Sequence, residues 1–306
     1  MASEYLVPGC FGKLPIDKEY LESAVSSPAT LLLRRLLREM REEGEEKSST
    51  GPLSRDVLFL LNVPGGSDLL AGVLRPSHDQ GGRDFPFALF VHVPRKIYGR
   101  QYALLPMGLA ATWEALSDAW RSLFGLETKD AFEEMFDTIK IPAPAAVAEV
   151  KSSYQAQTRE SMEDLFTRAG GLAPDCVTSR LPELIEQVRK SGHGEGIMVR
   201  LPALPDLREA AYEASFWIDL LNRQFMMRRV ESSVFLHHDP RAKVHWLLLG
   251  VGETSDTVTK ALMGGELTPA TVNLSASPGA PTEIEASPDF TMTYEDVLKQ
   301  RLRGRS

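Results

Sequence analysis

Cysteine is scarce: Cys10 and Cys176 are the two in 306 residues, and no CxxC spacing occurs. At most one disulfide could form, so a covalent framework does not organise the chain. Two reduced thiols in a cytosolic protein are the expectation. No apolar run approaches the roughly 20 residues that a membrane-spanning helix needs, so direct membrane insertion is not expected. The start, Met-Ala-Ser-Glu-Tyr-Leu-Val-Pro-Gly, lacks a basic segment leading into an apolar one, and no secretory leader is expected. A cytoplasmic location follows from these readings. Positive charge is in deficit, with 34 Lys plus Arg against 42 Asp plus Glu and a formal charge of −8. Phosphate binding needs a basic footprint, so nucleic acid is not the expected partner. Neither nucleotide fingerprint, GxGxxG or GxxxxGK[ST], is present, and there is no HExxH or GxSxG. Gly192-His193-Gly194-Glu195-Gly196 is glycine-rich but precedes a strand, whereas a phosphate cradle follows one. The expectation is a protein without cofactor and without catalysis.

What is present is a regular alternation of helix and strand. Pro28 to about Gly44 carries Leu32, Leu33, Leu36, Leu37 and Met40 at helical spacing, with proline in the first turn. Val57–Leu61, Leu69–Leu74 and Phe85–Val93 are apolar runs separated by short loops, which predicts a meander in a partly antiparallel sheet, with Val57–Leu61 as a strand buried on both faces. Residues 106–169 are expected to be mostly helical, with Leu109, Trp113, Leu116, Trp120 and Leu123-Phe124 along one apolar stripe. Ile141-Pro-Ala-Pro-Ala interrupts helix and suits a linker between two halves. The second half predicts a helix over Leu181–Lys190, a turn to Gly196, a strand at Ile197–Leu201 and a helix from Leu207 to about Phe225. A hairpin is then predicted, Ser232–Leu236 with Val244–Leu249, around a polar tip at 237–243. These elements predict an α/β fold with helices on both sides of a mixed sheet. Gly264–Asp289 is too poor in large apolar residues to order itself, and Tyr294, Val297, Leu298 and Leu302 form a stripe suited to a short terminal helix.

Two groups of residues could carry chemistry. His237, His238, Asp239 and His245 would collect near the hairpin tip, where His237 and His245 could approach across the strands and bind a metal. Polar residues at a turn are the plainer explanation, so no metal is expected. The second group lies in Gly72–Pro86, which compresses Ser77, His78, Asp79, Gly81-Gly82, Arg83 and Asp84 between two apolar runs. Asp79 and Ser77 can accept backbone N–H groups, Gly81-Gly82 permits positive φ, and Arg83 is placed to clamp Asp79 as a bidentate pair. This loop is read either as a self-satisfied connector or as a surface through which Asp79 or Arg83 meets a partner.

The same loop resembles the TagF (ImpM) family, whose members carry G-x-L-x-P-S-x-D-x-x-G-R-x-F-P. Residues 72–86 agree at every fixed position of that motif, and Phe11-Gly12-Lys13-Leu14-Pro15 resembles the family's aromatic-Gly-Lys-Leu-Pro segment. Where the family continues with a small polar turn and Gly-Asp-Phe, this chain has Ile16-Asp17-Lys18-Glu19-Tyr20. The pattern of elements sets a domain at 1–263, in halves 1–140 and 141–263, and the composition of 264–306 makes that segment a flexible tail that could hold a short helix. For the domain, the resemblance implies a three-layer α-β-α sandwich. It also implies a non-catalytic accessory regulator, a post-translational repressor, of a bacterial type VI secretion system. Such a regulator would bind cytoplasmic scaffold proteins, one of them bearing an FHA domain, with Lys13, Ser77, Asp79 and Arg83 as partner-binding residues. The alternatives are a hydrolase or metal-binding enzyme using the 78–83 loop or the hairpin histidines, and a structural subunit of the apparatus.

Overall fold

Val57–Leu61 is apolar at every position because both faces of its strand are covered. In the structure, a computed structural model, Val57, Phe59 and Leu61 face one apolar cluster while Leu60 faces another. The structure describes residues 4–46, 56–63, 66–157, 197–224, 232–239, 244–251, 262 and 271–273. The expected Leu181–Lys190 helix, the 191–196 turn, Cys176 and the terminal Tyr294–Leu302 helix lie outside the described residues.

The strands are β1 (Tyr5–Leu6), β2 (Pro8–Gly12), β3 (Leu21–Ser23), β4 (Val57–Leu61), β5 (Asp68–Arg75), β6 (Phe87–Pro94), β7 (Ile141–Pro142), β8 (Ile197–Ala203), β9 (Ser232–Asp239), β10 (Val244–Val251) and β11 (Thr271–Asn273). Nine of them form one sheet in the order β11-β8-β10-β9-β4-β5-β6-β2-β3. Its neighbours pair antiparallel except β11, which runs parallel to β8. The sheet is therefore mixed. The predicted meander is β4-β5-β6, and the predicted hairpin is β9-β10 with Val244 opposite Asp239. The seam between the N-terminal and C-terminal strands is β4 against β9, from Val57↔His237 to Leu60↔Val234.

The helices are α1 (Pro28–Glu46), α2 (Leu105–Gly108), α3 (Ala110–Phe124), α4 (Lys129–Thr138), α5 (Val147–Gln157) and α6 (Leu207–Gln224). Ser27 caps α1, its hydroxyl accepting the Thr30 N–H at 3.2 Å. Leu33, Leu36, Leu37 and Met40 then bury one stripe of α1 against Phe59, Leu70, Leu74, Ala88 and Phe90. On the opposite face, Trp113, Leu116, Trp120 and Leu123 of α3 and Ala211, Ala214, Ile218 and Leu221 of α6 pack over Leu60, Ala71, Val73, Leu89 and Val91. Alternate strand residues thus serve two cores, and the result is an α/β fold of three layers. Phe124 lies off the predicted stripe, 40% exposed and stacked on Trp120 at 4.5 Å.

Two sequence expectations change. Ile141-Pro142 is not a free linker: it is β7, paired antiparallel with Tyr5-Leu6, and the Ala143 N–H donates to the Glu4 carbonyl at 2.9 Å. Proline is tolerated in such a two-residue strand because it lies outside the main sheet. Within the tail, Thr271–Asn273 pairs with Met198–Arg200 as β11, since two β-branched residues suit an edge strand whose bonds are made by backbone.

The two-core arrangement makes a direct prediction. Leu37→Ala, at a position with 0% exposure, should cost about 2–5 kcal/mol of unfolding free energy. Leu31→Ala on the same helix, 55% exposed, should change stability by less than about 0.5 kcal/mol. Equal effects in denaturant titrations would refute the assigned helix face.

Candidate functional site

The β5–β6 connection is held from beneath by a lysine from another part of the chain. After β2, the backbone carries Lys13 under the loop, where its ammonium donates to Asp79 Oδ2 at 2.8 Å and to the Lys18 carbonyl at 3.0 Å. The ammonium also sits 4.9 Å from the centroid of the Tyr20 ring. Gly12 permits this path: its φ is +143°, and a Cβ there would lie 2.6 Å from Phe87 Cα and against the Pro86 carbonyl. The aromatic-Gly-Lys segment and the Phe-Pro end of the loop are therefore packed on each other.

Asp79 organises the loop. Its side chain is 0% exposed, and its two oxygens divide their partners. Oδ1 accepts the N–H groups of Gly81 and Arg83, each at 2.9 Å, while Oδ2 accepts Lys13 Nζ and Arg83 Nε, the latter at 2.7 Å. Four donors meet roughly four lone-pair directions, so the carboxylate is saturated. The Lys13 hydrogen bond, then the Arg83 N–H, hold its acidity well below the usual carboxylate range, against the opposing effect of burial. Such a carboxylate does not take up a proton near neutral pH, and its chemistry here is to clamp the backbone.

The rest of the loop follows from this anchor. Asp79 N–H donates to the Arg83 carbonyl at 3.1 Å, and Gly82 N–H to the Asp79 carbonyl at 2.9 Å, with Gly82 at φ +77°. Of the glycine pair, Gly82 takes the positive φ that the sequence allowed to both. Gln80 N–H donates to the Asp17 carbonyl at 3.0 Å, and Asp17 pairs with Lys129 of α4 at 3.0 Å. The residues that replace the family's small polar turn thus brace the loop. Tyr20 stacks on Phe11 at 5.4 Å and meets Phe85 edge-on at 4.9 Å, forming an aromatic floor.

Of the four residues expected to meet a partner, Lys13, Ser77 and Asp79 are buried, whereas the Arg83 side chain is 66% exposed. Two details differ from the sequence reading. The Arg83–Asp79 pair is made through Nε alone, because Oδ1 is occupied by backbone donors and Arg83 Nη2 turns to the Lys18 carbonyl at 3.3 Å. Ser77 accepts the Phe85 N–H through its carbonyl at 3.0 Å, not through its hydroxyl, which has no hydrogen-bond partner among the described residues. The Lys13–Asp79 contact spans 66 residues, beyond the reach of local reading. Its one trace in the sequence is the joint presence of the two motifs.

The hairpin histidines are separated by register. His245 stands opposite His238, and His237 opposite Trp246, so His237 and His245 lie on opposite sides of the pleat. The expected approach of those two across the strands does not occur, because cross-strand partners share a face and their neighbours do not. Among the described residues, no group of three His, Cys, Asp or Glu side chains is placed to hold a metal.

The depressed acidity of Asp79 has a defined pH signature. A carboxylate more acidic in the folded than in the unfolded chain stabilises fully above about pH 4–5, and that stabilisation is lost as pH falls toward the folded pKa. Lys13→Met removes the leading cause, and should lower Tm at pH 7 by on the order of 5 °C or more. The gap between wild type and variant should be constant from pH 7 to 5 and narrow below about pH 4. A gap independent of pH would show that Lys13 acts through packing alone.

Comparison with known proteins bears on both motifs. Residues 9–139 match the family model described as the TagF N-terminal domain, type VI secretion system-associated. No curated protein matches the chain. Among solved structures, the crystal structure of PA0076 from Pseudomonas aeruginosa PAO1 is similar at 21% identity with a TM-score of 0.37. That match covers 45% of this chain and 64% of the other, so less than two thirds of PA0076 is spanned. Lys13, Ser77, Asp79 and Arg83 all fall inside the segment that is similar to the TagF N-terminal domain.

Proposed function

We propose that the chain is a non-catalytic accessory regulator, a post-translational repressor, of a bacterial type VI secretion system. It acts in the cytoplasm by binding scaffold components of the system, among them one bearing an FHA domain. The observation that carries this reading is the TagF match over 9–139, joined to the use its motif residues make of one another. The motif's carboxylate is saturated by structural bonds, which supports a recognition role over turnover. No described helix is long and apolar enough to cross a membrane. The formal charge of −8 favours protein partners over nucleic acid.

Around the clamp, Lys18, Glu19, His78, Gln80, Arg83 and Asp84 are exposed on backbone fixed by buried bonds. A surface held in one conformation loses little entropy on association, which suits an interface. Repression further requires that the regulator bind one state of its partner better than another, since equal affinity for both would shift nothing. Lys13, Ser77 and Asp79 contribute by fixing the loop, and Arg83 contributes the projecting guanidinium.

Arg83→Ala tests this because the substitution should leave the fold intact, with Tm within about 2 °C of wild type. In pull-downs against the secretion components, its affinity should fall roughly five-fold or more. Unchanged binding removes the loop from the interface. Deleting the gene should raise secretion; abolished secretion would instead identify a structural subunit.

A further inference from the structure

Arg75 is the last residue of β5, and its side chain lines a cleft. The side chain is 14% exposed. Its contacts are an ion pair, Nε to Asp56 Oδ2 at 3.2 Å, and the Trp120 ring, whose centroid lies 4.4 Å from the guanidinium carbon. The Trp120 indole N–H beside it is buried without an acceptor among the described residues. Buried donors are normally bonded, so this indole leaves room for an acceptor from beyond the described residues.

A cleft of about 230 Å³ opens at this arginine, where β4, β5, β8, β9 and β10 end beneath α3 and the start of α6. Leu58, Val73, Leu204, Leu207 and Leu236 form apolar walls. Polar groups enter from Arg75, Asp56, Ser117 and His245. An apolar cleft with a few convergent donors is the usual form of a small-molecule site.

The charge of the ligand follows from the same residues. Arg75 offers a planar fork suited to a carboxylate, and Arg121 lies close enough to add positive potential. Asp56 beside it disfavours a second negative charge. The walls ask for a hydrocarbon body. We propose that this cleft binds a small monocarboxylate with an apolar body, its carboxylate received by Arg75. This site is distinct from the Lys13–Asp79–Arg83 cluster and does not depend on the secretion role.

The test is titration of the full chain with phenylacetate and hexanoate, followed by calorimetry and by tryptophan fluorescence, since Trp120 lies against Arg75. Saturable binding is expected below about 10 mM, with neutral phenylacetamide and inorganic phosphate each at least about ten-fold weaker. Arg75→Met should weaken phenylacetate at least about ten-fold while leaving phenylacetamide unchanged. Asp56→Asn, at a side chain 56% exposed, should tighten phenylacetate by roughly three-fold or more, a gain that a merely structural role for the pair would not produce. The proposal is overturned if acid and amide bind alike, if neither acid saturates, or if Asp56→Asn fails to tighten binding. Binding confined to a short peptide with a free C-terminal carboxylate, with no response to the free acids, also overturns it.

Discussion

The buried contact between Lys13 and Asp79 ties the N-terminal segment, the β5–β6 loop and the aromatic floor into one unit. Placing an ammonium and a carboxylate together out of water costs several kcal/mol per ion unless the remaining donors and acceptors are also met. Here they are met by backbone: two loop N–H groups on one carboxylate oxygen, and the Lys18 carbonyl on the ammonium. The loop therefore cannot change conformation without exposing a charge that the fold has already desolvated. That constraint explains why a stretch rich in glycine and polar residues, joining two core strands, has a defined shape.

The sheet transmits this order further. β5 and β6 flank the loop, and β5 pairs with β4, which in turn pairs with β9 across the seam. The C-terminal strands thus continue the sheet that the family-matched segment begins. Each strand near the seam is shared between two apolar clusters, one under α1 and one under α3 and α6. A change at one face is felt at the other only through the backbone, because interdigitated side chains leave little slack.

The end of β5 places two functionally different arginines eight residues apart. Arg83 finds its carboxylate within the loop and spends much of its side chain in solvent. Arg75, nearer the sheet, is stacked on Trp120 and ion-paired with Asp56 through Nε. One sequence motif thus borders both a candidate protein-binding surface and a candidate small-molecule cleft.

Much of the architecture was legible from periodicity. The Leu33–Met40 stripe, the apolar β4 and the β9–β10 hairpin could be read because helix and strand spacing are local properties of the chain. The loop's internal geometry was legible in part, since an Asx-type turn and an i,i+4 charge pair are also local. What only the tertiary structure decided were contacts made across distance. They are the Lys13 partner of Asp79, the pairing of Ile141-Pro142 with Tyr5-Leu6, and the β4–β9 seam. The pleat also decided that His237 and His245 face opposite ways, because a one-residue offset in register reverses the side of every side chain. Sequence alone determined the main helices and strands and the family that the two motifs resemble, because these are local patterns; folding determined which charges are buried, because burial depends on contacts between distant segments.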